Sequence, residues 1–125
     1  MKIRYDFITN SSSSAFVVFI PKNYSVSRDK IEETEEYKDF LDDMEPDQYE
    51  IDKAVSGILN NIKSLQKGEE IRIGPYDYKK LILSELLIRD NLVLREISVD
   101  GEGATTFMPI TLTELKKFIK RVEKL

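Results

Sequence analysis

Ala15-Phe16-Val17-Val18-Phe19-Ile20-Pro21 is the stretch on which the fold turns. Six apolar residues in a row, all but the alanine β-branched or aromatic, are too few for a helix and suit a strand. The unbroken apolarity predicts a central strand covered on both faces, and Pro21, which has no N–H for a ladder, ends it. Upstream, Ile3, Tyr5 and Phe7 alternate with Lys2, Arg4 and Asp6, so residues 2–8 read as a second strand with one wet face. A polar hexapeptide, residues 9–14, joins the two.

Downstream, Ser27 is placed to cap a helix over residues 28–44, with Ile31, Tyr37, Phe40, Leu41 and Met44 at helical spacing, and Pro46 breaks the chain. A second helix over about 47–67 carries the clearest stripe, Ile51, Val55, Ile58, Ile62 and Leu65, widened by Ala54 and Leu59, with Gly68 as its stop. Residues 69–73 read as a short strand ended by Gly74-Pro75, and Tyr78, Leu81, Ile82, Leu83, Leu86 and Leu87 as a helix to about 89. Alternation returns over 92–99. Asp100-Gly101-Glu102-Gly103 is a turn signal, and residues 105–110 are its expected hairpin partner. Thr111 and Glu114 make a capping box for a last helix, whose expected buried face is Leu112, Leu115, Ile119 and Val122. Strands and helices mix without βαβ alternation. The expectation is an α+β fold, a small mixed or antiparallel sheet of four to five strands packed with about four helices, in a single domain over residues 1–125.

Composition narrows the chemistry. The chain has 125 residues, 41% of them hydrophobic, with no cysteine and no histidine. Disulfide scaffolds, thiolate metal sites and thiol catalysis are excluded, as are imidazole-activated nucleophiles and histidine-ligated metals. Missing cysteine fits a reducing compartment, and the longest apolar run falls far short of the roughly 20 residues of a membrane span. The reading is a cytoplasmic protein, neither exported nor membrane-embedded, with no cofactor.

Two features stand out. The first is Asp6-Phe7-Ile8-Thr9-Asn10-Ser11-Ser12-Ser13-Ser14-Ala15-Phe16. It resembles the N-terminal signature of a loose group of uncharacterised bacterial and bacteriophage proteins, in which a phenylalanine, an asparagine, a serine quartet or quintet and another phenylalanine follow a short basic stretch. Ala15 stands where that group usually continues with serine. The resemblance implies a phage or mobile-element accessory and brings no activity. Physically, Asn10, Ser11, Ser12, Ser13 and Ser14 form a run dense in small donors and acceptors, suited to an anion or peptide cradle. No glycine or lysine accompanies it as in a phosphate-binding loop, so a solvated strand connection is the plainer reading.

The second feature is acidic. Residues 28–50 hold eleven Asp and Glu against three basic residues, a net −8 in a chain of −4, so the remainder sums to +4. Glu32, Glu33, Glu35, Glu36, Asp39, Asp42 and Asp43 are the candidate partner-binding residues. Those on positions left over once Ile31, Tyr37 and Phe40 face inward should be exposed and unpaired. Such a surface is commonly a solvated face, and it also suits steering of a basic partner. Counting an EF-hand loop from Asp43 puts Gln48 where glycine is needed and Ala54 where glutamate is needed, so calcium is not expected. Lys116, Lys117, Lys120, Arg121 and Lys124 complement the dipole of the last helix, and the overall acidity argues against nucleic acid as a partner. The sequence reads as a non-enzymatic binding or regulatory protein working by protein–protein contact, with a basic protein as the partner. The competing reading is a small-molecule or anion-binding domain, or an enzyme, using residues 10–14.

Overall fold

The apolar run does organise the sheet. In the computed structural model, which describes residues 13–99 and 103–123, the chain runs β1 (Ser13–Val18), α1 (Arg28–Glu32), α2 (Glu35–Met44), α3 (Gln48–Gln66), β2 (Ile71–Ile73), α4 (Lys79–Arg89), β3 (Val93–Val99), β4 (Thr105–Pro109) and α5 (Leu112–Glu123). The fold is α+β, with a mixed four-stranded sheet in the order β2-β4-β1-β3. β1 is central, parallel to β4 and antiparallel to β3, while β2 pairs antiparallel with β4. The strand expected over 2–8 and residues 100–102 of the expected turn over 100–103 lie outside the described residues.

β3 and β4 do not form the expected hairpin. β1 lies between them, which sets β3 and β4 two strand spacings apart, about 9–10 Å. The burial of β1 also differs from the expectation. Ser14, Phe16, Val18 and Ile20 are buried, whereas Ala15, Val17 and Phe19 are half-buried, so the helices fully cover one face only.

That covered face is the core. Phe16 and Phe107, register partners on β1 and β4, stack with ring centroids 5.6 Å apart. Val55, Ile58, Ile62 and Leu65 of α3 close over them, as their spacing predicts. α4 fills the centre of the helix layer, with Ile82, Leu83, Leu86 and Leu87 buried together with Lys80, Ser84 and Glu85. A helix buried almost all round shows no clean apolar stripe, which is why its sequence signal is blurred.

The ends of the elements follow local chemistry. Ser27 Oγ accepts from the Lys30 amide, and Thr111 and Glu114 make their reciprocal capping box at 3.1 and 3.0 Å. Asp47 and Glu50 make a second box at the start of α3. α3 ends in a Schellman motif, in which Gly68 N–H donates to the Leu65 carbonyl and Glu69 N–H to that of Ser64, with Gly68 at φ +86°. The expected single helix over 28–44 is two helices, because Thr34 takes extended geometry between them and caps α2 by accepting from the Tyr37 amide. Of the expected buried face of α5, Leu112 is 55% and Ile119 45% exposed and Leu115 is half-buried, while the Val122 side chain lies outside those described. Among the described residues no helix is long and apolar enough to cross a membrane.

Candidate functional site

The serine run divides. Asn10, Ser11 and Ser12 lie outside the described residues, Ser13 opens β1, and Ser14 is a buried strand residue, 3% exposed. The expected loop over 9–14 therefore ends earlier than its polarity suggests. Ser14 N–H donates to the Ala104 carbonyl at 3.0 Å, and its Oγ has no hydrogen-bond partner. A hydroxyl sealed in this way has no route to a ligand in solution. Beside it Lys80, also buried, donates through Nζ to the Gly103 carbonyl at 2.7 Å, and burial holds its amine below the ordinary lysine range. Together these two polar groups fasten the start of β1 and the segment leading into β4 under the helix layer.

The acidic segment gives a different geometry. Glu33, Glu35, Asp42 and Asp43 are exposed, and Glu32 and Asp39 are half-buried. Glu36 corrects the expectation. It is buried, because α2 turns that position toward α4, where the Glu85 carboxylate accepts from the Glu35 and Glu36 amides at 3.0 Å each. Arg28 draws Glu32 and Asp52 together at 3.9 and 2.9 Å. By contrast, the side-chain carboxylates of Glu33, Asp42 and Glu45 take no hydrogen-bond or ion-pair partner among the described residues. They are the open part of the surface.

That open part gathers where α2 meets α3. Glu45 turns the chain in left-handed geometry at φ +44°, Pro46 follows, and the Asp47 box starts α3. Met44 stands 58% exposed and Tyr49 73% exposed among Asp42, Asp43, Glu45, Asp47 and Glu50. The corner is held from below. Tyr78 donates its hydroxyl to Asp43 at 2.7 Å and packs its ring 5.6 Å from Phe40. Asp43 as acceptor, then burial, pushes the Tyr78 phenol up to about 12. Tyr76, in the same connection between β2 and α4, is 96% exposed. The result is a fixed acidic surface with aromatic and thioether side chains standing out of it.

Sequence reasoning placed Met44 inside and passed over Tyr49. Position 44 does continue the stripe of Tyr37, Phe40 and Leu41, yet it is the last residue of α2 and projects past the elements beneath it. Tyr49 carried a usable signal, since two residues before Ile51 lies about 200° around the helix and therefore outward. Among the described residues no group of three or more carboxylates converges as a metal site would require. Comparison with family models, with curated proteins and with solved structures finds no match to this chain.

Proposed function

We propose that this chain is a non-enzymatic binding protein that works by protein–protein contact, holding a basic protein surface on the acidic corner between α2 and α3. One observation carries the reading: Met44 and Tyr49 are exposed in the middle of a patch whose carboxylates Asp42 and Glu45 have no side-chain partner among the described residues. Interface centres favour Tyr and Met, which contribute contact area, while surrounding charge sets the rate and choice of encounter. A solubilising face has no need of the two large side chains. The N-terminal resemblance adds a bacterial or bacteriophage setting.

The test uses the full chain as bait in its native host, beside two variants. In the first, Glu33→Gln, Glu35→Gln, Asp42→Asn, Asp43→Asn and Glu45→Gln remove charge; in the second, Tyr49→Ala removes the anchor. A captured partner should associate about tenfold more slowly with the first variant at low salt and leave the second about tenfold faster. Equal rates for all three forms, with no salt dependence, would exclude the corner as the binding surface.

A further inference from the structure

α5 is amphipathic and carries Leu112 and Ile119 of its apolar side in the open. Leu112, Leu115 and Ile119 fall at the three- and four-residue steps of one stripe, yet none belongs to the core or packs against it. Leu112 and Ile119 are largely exposed and Leu115 is half-buried. Lys116, Lys117, Lys120 and Arg121 flank the stripe, all exposed and none with an ion-pair partner among the described residues. An apolar stripe bordered by four exposed cations suits an apolar surface bordered by anions. The acidic corner is such a surface, with Met44 and Tyr49 at its centre, and no ion pair joins α5 to it among the described residues.

We propose that α5 docks on the acidic corner of a second copy of this chain. The inference rests on the reading of that corner as a protein-binding surface and names its partner. A second copy is favoured over an anionic membrane because residues 28–50 carry −8, which an anionic bilayer repels, whereas a second copy brings both signs to the contact. The two surfaces differ, so a single contact is head-to-tail. When each α5 sits on the other copy's corner, the two contacts close as a twofold dimer. Salt weakens the association by screening four cations against the corner carboxylates.

Sedimentation equilibrium of the full chain tests this, at low ionic strength and again near 1 M, where the Debye length falls to about 3 Å. The expected result is concentration-dependent self-association that weakens at least about tenfold at high salt. Lys116→Glu with Lys120→Glu should associate far more weakly alone, as should Asp42→Lys with Glu45→Lys, because the four flanking cations of α5 then sum to zero in the first variant and the five corner carboxylates fall from −5 to −1 in the second. Mixed, the two variants should associate, since one cross-contact is then the unaltered α5 on the unaltered corner and the other sets the introduced glutamates against the introduced lysines. Folding of each is checked by circular dichroism, and the wild-type salt series needs no variant. A wild type that stays monomeric at low salt overturns the inference, as does self-association unchanged by both charge reversals. Binding of the monomeric wild type to phosphatidylserine vesicles would overturn it in favour of a membrane surface for α5. Capture of an unrelated basic protein on the corner by a monomeric chain would overturn it and leave the proposed function standing.

Discussion

Asp90, the residue that ends α4, collects two donors from the segment after β1. Tyr24 Oη and Lys30 Nζ both reach its Oδ2 at 2.5 Å. Burial alone raises this carboxyl, but the hydrogen bonds from Lys30 and Tyr24 outweigh it and hold Asp90 below the ordinary carboxylate range. The folded state then binds the proton less readily than the unfolded state, so the contribution is complete above the unfolded value of about 3.9 and fades as pH falls through the lower folded one. Asp90→Asn should cost about 1–2 kcal/mol at neutral pH. In urea titrations from pH 2 to 7 the gap between wild type and variant should close below about pH 4; a constant gap would mean the carboxylate charge is not what matters. Ser14 predicts the opposite sign. Its buried Oγ is unbonded, so Ser14→Ala removes a desolvated hydroxyl and should leave stability unchanged or raise it by up to about 1 kcal/mol. A loss above about 1 kcal/mol in the denaturation midpoint would show that the hydroxyl has a partner.

The break between α1 and α2 is set by a residue far along the chain. Thr34 caps α2 locally, accepting from the Tyr37 amide at 3.1 Å and donating to the Ile31 carbonyl at 2.7 Å, but the next two free amides are taken by Glu85 of α4. Arg89 steadies the same carboxylate at 3.0 Å. Glu85→Gln replaces one acceptor oxygen with a donor facing an N–H, and should cost about 1–3 kcal/mol. Hydrogen exchange should show the loss first at the amides of residues 35–37; protection unchanged there would remove Glu85 as the cause of the break. This arrangement also explains what the sequence disclosed. β1, α3 and the Thr111 box are written in residues within a few positions of each other; α3 and the box appear as their patterns predict, and β1 is the central strand expected but is fully covered on one face only. The split at Thr34 depends on a carboxylate fifty residues away, and the insertion of β1 between β3 and β4 depends on three segments at once. Neither leaves a local signature. The acidic surface was legible as charge, while its exposed anchors depended on where α2 ends.

Across the whole molecule, charge and apolar exposure are sorted together. The helices close one face of the sheet into a single core, and the large side chains left outside it include Met44, Tyr49 and Tyr76, near the acidic corner or in the connection that supports it, and Leu112 and Ile119 on basic α5. Scattered exposed apolar residues are ordinary; their placement within opposite charge fields is what points to contact with other proteins. The central claim is that the α2–α3 corner is a binding surface. It is tested most directly by hydrogen exchange of the chain alone and in complex with the protein it captures, or with itself at high concentration. The account predicts new protection at residues 42–50 and in the neighbouring 76–78 connection. Protection confined to other surfaces, with residues 42–50 exchanging as in the free chain, would contradict it.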